Sequence, residues 1–173
     1  MAFEITDNFL DSLSALIVSK NDKELTAIFE DIHFADIAEV LDELEFDDAV
    51  YIIKLLDSEK TSEILTELDE DIREKILENL SAKEIAEEVE EMDTDDAADI
   101  IGELSEERQE RVINALEDDD LVADIKELLS YEDNSAGSLM AKELVKVYET
   151  WTVAGCMRRI RSQAKDVTRV HSI

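Results

Sequence analysis

The sequence contains no proline and only three glycines among its 173 residues. The two strongest helix breakers are therefore nearly absent, while Leu, Ile, Ala, Glu and Lys abound, so helix is expected over most of the chain. A lone cysteine, Cys156, excludes a disulfide framework and is compatible with a cytoplasmic setting. No run approaches the roughly eighteen consecutive apolar residues of a membrane span. The opening MAFEITDNFLDSL lacks the basic start and apolar core of a signal peptide, and none is expected. Catalytic signatures are also missing: there is no nucleophile elbow, no phosphate-binding glycine loop and no Cys/His pairing, so no enzyme is expected.

Basic residues are scarce too. Seventeen Lys/Arg face 47 Asp/Glu, for a formal net charge of -30. Residues 138–173 hold seven of the basic residues and three of the acids, which leaves ten basic and 44 acidic residues in 1–137, a net of -34. Phosphates would be repelled by that part, which excludes nucleic acid as its partner; cations are the natural one.

Apolar residues nonetheless make up 45% of the chain, too many for a disordered acidic tail. They recur with a period of twelve: Leu44, Leu56, Leu68, Leu80, Met92, Leu104, Leu116 and Leu128. The residues that follow are Glu45, Asp57, Asp69, Ser81, Asp93, Ser105 and Glu117, and five of these seven are Asp or Ser. Such side chains cap helix N-termini by accepting the orphan N–H groups of the first turn. Ser81 with Glu84 also fits a capping box. At four times the step, IAEVLDELEFDDAVYII (37–53) aligns with IAEEVEEMDTDDAADII (85–101). Helices of roughly ten residues are marginal alone and must bury their apolar faces on neighbours. The expected fold is mainly α, a solenoid of short armadillo-like helices from about residue 22 to 129, with a longer helix at 7–19 closing its N-terminal end.

The pattern breaks at YEDNSAGSLMA (131–141). Beyond it, ELVKVY (143–148) reads as a strand, TVAGCMRRIRSQAK (152–165) as a helix and VTRVHSI (167–173) as a second strand. That is too little for an independent core. The expected organisation is an acidic helical domain over 1–130, a linker over 131–137 and the beginning of an α/β domain over 138–173. RRIRSQAKDVTR (158–169) is the only basic stretch and fits either a solvated helix face or a contact with an adenine nucleotide or with the acidic part. Tyr148 and Trp151 flank a strand-to-helix turn and read as packing residues.

HFADIAEVLDEL (33–44), EEMDTDDAADIIGEL (90–104) and the joint YEDNSAGSLM (131–140) resemble the cytosolic N-terminal region of MgtE-type magnesium transporters. The resemblance runs from about residue 20 to the end, and the joint resembles the family's passage into its first CBS domain. It implies a right-handed superhelix of short helices, followed by the truncated start of an α/β CBS domain. It further implies a dimeric transmembrane channel in the full-length protein, with this part at the cytoplasmic face of the membrane and the dimer contacts mainly in other parts. Magnesium held between superhelix and CBS domains favours the closed channel in that family. Carried over by motif, the superhelix ligands fall on Glu63, Asp95 and Asp99. The sequence departs from the family in lacking prolines at its interhelix turns. The competing reading is a helical-repeat scaffold for protein partners resembling the flagellar motor switch protein FliG; the joint and the strand–helix–strand after it favour the transporter.

Four aspartates crowd residues 93–99: Asp93, Asp95, Asp96 and Asp99. Asp93 suits an N-cap, and Asp95 and Asp96 then lie in the first turn, where the helix dipole favours anions. Asp47 and Asp48 occupy the same places in the earlier repeat, so Asp96 reads as structural. Asp99 has Tyr51 as its earlier counterpart and lies beyond the capping turn. Glu63 follows Asp57 by the same six residues as Asp99 follows Asp93. An acidic face awaiting a cation and a solvated charged face both account for Asp99. Carboxylate ligands suit hard ions, and Mg²⁺ keeps several waters and needs few of them. DTDDAAD is no EF-hand loop, since Ala98 takes the glycine position and Leu104 the place of the closing glutamate. Zinc has no ligand spacing to use: His33 reads as a residue of a helix entrance, and His171 has no assigned role.

Overall fold

The computed structural model describes residues 3–132, 135–142 and 147–163. Eleven α-helices and no strand occur among the described residues. They are α1 (Asp7–Val18), α2 (Asp22–Glu30), α3 (Phe34–Glu43), α4 (Phe46–Ile53), α5 (Ser58–Glu67), α6 (Glu70–Asn79), α7 (Ala82–Val89), α8 (Thr94–Gly102), α9 (Glu106–Ile113), α10 (Asp119–Leu128) and α11 (Val153–Gln163). From α4 to α9 each helix begins where the twelve-residue spacing puts it, and α10 begins one residue later.

Two compact units make up the chain: Met1–Met92 with Glu103–Leu116, and Asp93–Gly102 with Glu117–Ile173. In the first, α3 packs on α5, α5 on α7 and α7 on α9, while α4 packs on α1 and α6. Each short helix seals its face with a few large side chains: Ile37, Val40 and Leu41 from α3, Ile52 and Ile53 from α4, Ile64 and Leu65 from α5, Ile76 and Leu77 from α6. Burying each such side chain is worth about 1.5–3 kcal/mol, which is what makes eight- to ten-residue helices viable here. Among the periodic apolar residues, Leu68, Leu80, Leu104 and Leu128 are buried, whereas Leu44, Leu56, Met92 and Leu116 are half-buried.

The caps follow the sequence in part. Asp57 Oδ1 accepts from the Lys60 amide at 3.1 Å. Ser81 and Glu84 form the expected box, with Glu84 N donating to Ser81 Oγ at 3.2 Å and Ser81 N to Glu84 Oε2 at 2.7 Å. His33 caps α3, its Nδ1 accepting from Ala35 N at 3.3 Å. Glu45, Asp69 and Ser105 hold the N-cap position without a side-chain bond. Asp93 precedes α8, and its carbonyl accepts from Ala97 N at 2.9 Å. Before α10 the cap is Asp118, not Glu117: Asp118 Oδ1 accepts from Asp120 N at 2.8 Å and Leu121 N at 3.2 Å. The shorter acid suits the tight cap geometry better than glutamate does.

With no glycine to end α1, Lys20 adopts the left-handed region at φ 51°. Lys20 N then donates to Ile17 O and Asn21 N to Leu16 O, each at 3.0 Å, closing the helix as a glycine would.

In the second unit α8 packs on α10. The joint is fastened to both: Lys142 N donates to the buried Thr94 Oγ1 at 2.9 Å, and Lys142 Nζ pairs with Glu127 Oε1 at 2.7 Å. A Cβ on Gly137 would stand 2.8 Å from Tyr131 Cγ, so this turn requires glycine. The helix expected at 152–165 is α11. Of the strand expected at 143–148, residues 143–146 lie outside the described residues and 147–148 carry no regular structure; the strand expected at 167–173, with His171, lies outside them entirely.

Candidate functional site

Asp95 and Asp99 sit one turn apart on α8, about 40° apart around its axis. α8 turns Thr94, Ala97, Ala98, Ile100 and Ile101 inward. That leaves Asp95 half-buried and Asp96 and Asp99 exposed. The structure thus brings Asp95 and Asp99 to one face and adds Asp96 at its edge.

Glu63 lies on α5, exposed, in the first unit. It lines a groove of about 450 Å³ with Glu30, Phe34, Leu56, Asp57, Glu59 and Lys60. Four carboxylates edge this groove. The ammonium of Lys60 is bound to main chain, for Nζ donates to the Phe29 carbonyl and, at 2.9 Å, to that of Glu30. Among the described residues no three Asp, Glu, His or Cys side chains converge into a group able to hold a metal by themselves. The donor chemistry of Asp95, Asp99 and Glu63 still suits Mg²⁺, which takes one or two carboxylates and fills its remaining positions with water.

Spacing did not reveal what the few basic residues do. Lys60 closes the end of α2. Arg73 Nη1 donates to Leu65 O at 3.2 Å and Leu68 O at 3.0 Å, at the end of α5, while its Nε and Nη2 grip Glu103. Arg108 Nη2 donates to Leu77 O at 2.7 Å and Leu80 O at 2.8 Å, at the end of α6. Each cation neutralises orphan carbonyls at a negative helix end. The partner lies 28 to 31 residues away for Lys60 and Arg108, too far to be visible in local pattern.

Hydrogen bonding also tunes two surface acids. The Ser81 hydroxyl and amide, helped by Lys54, hold Glu84 below the usual carboxylate range. Bonds from Lys142 and Tyr131 do the same for Glu127.

Comparison with known proteins gives the scaffold its relatives. The fold superposes on the crystal structure of the soluble part of a magnesium transporter with a TM-score of 0.77 at 22% identity, covering 94% of this chain and 64% of that one. It superposes on the cytosolic domain of the Mg²⁺ channel MgtE in complex with ATP with a TM-score of 0.83 at 28% identity, covering 94% of this chain and 66% of that one. The chain therefore spans slightly less than two thirds of either structure. Comparison with curated protein sequences finds no match. Residues 32–134, more than half of the chain and inclusive of Glu63, α8 and the joint's first residues, match the model of the MgtE intracellular N domain. The protein belongs to the MgtE intracellular N domain family.

Proposed function

We propose that this chain is the cytosolic regulatory part of a magnesium transporter or channel, sensing intracellular Mg²⁺ through Glu63, Asp95 and Asp99 and favouring the closed pore. The observation that carries this reading is the Asp95–Asp99 pair on one face of α8, inside the stretch that matches the family model. Like charges at this spacing repel by roughly 0.2–0.5 kcal/mol in an isolated helix. A divalent ion shared with carboxylates from a neighbouring domain would reverse that cost. Because the ion binds one arrangement of the domains better than another, its concentration sets their equilibrium.

In this reading residues 1–130 form a right-handed α-solenoid, 131–137 a linker and 138–173 the start of a CBS domain. Exposed Leu139, Met140, Tyr148, Trp151, Val153 and Met157 support the last assignment, since a completed domain would cover such a surface. Partners are the CBS and transmembrane domains of the same full-length protein, a homodimer in the membrane that carries this part on its cytoplasmic face. It is neither an enzyme nor a nucleic-acid binder. The family match favours the transporter over a FliG-like scaffold. The related channel domain was crystallised with ATP. In this chain a shallow groove of about 380 Å³ beside Trp151, Arg158 and Arg159 offers an aromatic face and two cations, the chemistry a nucleotide phosphate would meet.

The test is an uptake or channel assay of the full-length transporter across a magnesium titration. Glu63→Gln with Asp95→Asn and Asp99→Asn should move the closing midpoint to higher Mg²⁺. An unchanged midpoint in a normally expressed variant overturns the assignment.

A further inference from the structure

The repeat that aligns residues 37–53 with 85–101 sets Glu88 on Val40. Val40 is fully buried. Glu88 thus falls at a core position of the repeat and is half-buried, on α7 beside the buried Ile85 and Val89. Its Oε2 is buried without a hydrogen-bond partner.

Among the described residues no cation is seen to compensate it. α7 packs on α5 and α9. The charged groups that bear on Glu88 are all acids: Glu87, Asp57, Glu84 and Glu91. The cations nearby in the sequence and on the packed helices have other contacts. Lys54 pairs with Glu84, Lys83 with Glu87, and Lys60 binds the carbonyls at the end of α2. On α9, Arg108 binds the carbonyls of Leu77 and Leu80, and Arg111 pairs with Glu107. The α9 acids Glu106, Glu107 and Glu110 could only add charge of the same sign.

We propose that Glu88 is a proton-operated latch between α7 and α5: protonated, its carboxyl keeps Oε2 out of water on the packed side of α7, and ionised, it repels Asp57 and loosens the α5–α7 contact. Asp57 is the lever because its carboxylate caps α5. Protonation removes the charge that burial disfavours and the repulsion among the acids together. Burial first, and then the acids, push the Glu88 carboxyl up to about 8. The folded state therefore holds a proton that the unfolded chain releases at ordinary carboxylate pH. Stability is accordingly greatest in the acidic part of that window and falls as the pH rises towards 8. None of this depends on magnesium.

The test uses the 173-residue chain. Thermal melts from pH 6 to 9 should show the wild type losing stability, and Glu88→Gln, which keeps the shape and cannot ionise, holding its melting temperature. Parallel curves overturn the latch. A carbon-13 carboxyl titration, with the Glu88 resonance assigned by its loss in Glu88→Gln, should give a midpoint near 8, separated from the other glutamates. A midpoint among theirs overturns it independently of any variant's folding. Asp57→Asn retains a cap and removes the charge, and it should move the Glu88 midpoint down. An unmoved midpoint overturns the link to α5.

Discussion

Arg108 on α9 donates from Nη2 to the Leu80 carbonyl at 2.8 Å, closing the end of a helix three elements earlier in the chain. A charged hydrogen bond of this kind is worth about 1.5–3 kcal/mol, and half-burial of Arg108 limits solvent screening. Arg108→Met keeps the apolar stem and removes the donors. It should lower unfolding free energy by about 2 kcal/mol in urea titrations, leaving the carbonyls of Leu77 and Leu80 unpaired. A loss under about 0.5 kcal/mol would mean that water serves them as well.

Lys20→Gly should stabilise the protein. A non-glycine residue in the left-handed region costs roughly 1–2 kcal/mol, partly offset by the freedom glycine gains when unfolded. The expected net gain is about 1 kcal/mol, read as a higher urea midpoint at unchanged slope. A decrease would show that the lysine side chain makes a compensating contact.

Gly137→Ala should act in the opposite direction. The new methyl would meet the root of the Tyr131 ring, which gives way less cheaply than a flexible tip would. Overpacking of this sort costs about 1–3 kcal/mol. The displaced ring should also lose its bond from Tyr131 Oη to Glu127 Oε1, now 3.1 Å. Calorimetry gives the stability, and tyrosine fluorescence of the Trp151→Phe background reports the ring's environment.

Acid should erase the contribution of Glu84. Its carboxyl is held below the usual range by Ser81 and then Lys54, so the stability it adds is present above about 4.5, the ordinary glutamate value, and is lost as the pH falls through the depressed folded value. Glu84→Gln, which can still close the box, should be less stable than wild type at pH 7 and equal to it near pH 3. Ser81→Ala removes the box itself and should cost about 1 kcal/mol. Equal melts of Glu84→Gln and wild type at pH 7 would remove the charge from the account.

Magnesium should raise the melting temperature above that in NaCl of matched ionic strength. Salt of any kind screens the -34 on residues 1–137, and a specific site adds stabilisation that grows with ligand concentration. The double variant Asp95→Asn with Asp99→Asn should erase the surplus and keep the screening. A surplus that survives both substitutions would place the ion elsewhere on the acidic surface.

The sequence determined the helices and their boundaries. Twelve-residue spacing, Asp57 and Ser81 as caps and the lack of proline are local signals, and local hydrogen bonds act on them directly. The one shifted boundary, Asp118 for Glu117, is one residue wide, and Asp69 and Ser105 stand at the cap position without a side-chain bond. The identity of the family was legible for the same reason, because the motifs that carry it are short and contiguous. The candidate ligands Asp95 and Asp99 were visible as an i, i+4 pair, since one helix places them.

Only the tertiary structure decided how charge is deployed. Lys60, Arg73 and Arg108 look like any surface cations until distant helix ends are brought against them. Glu88 looks like one more acid in an acidic helix, although the repeat had already set it on Val40. The helix that carries it packs on α5 and α9, which lie roughly twenty residues or more away along the chain on either side. Electrostatic energy depends on distance through space and on burial, and neither is a property of a residue's neighbours along the chain.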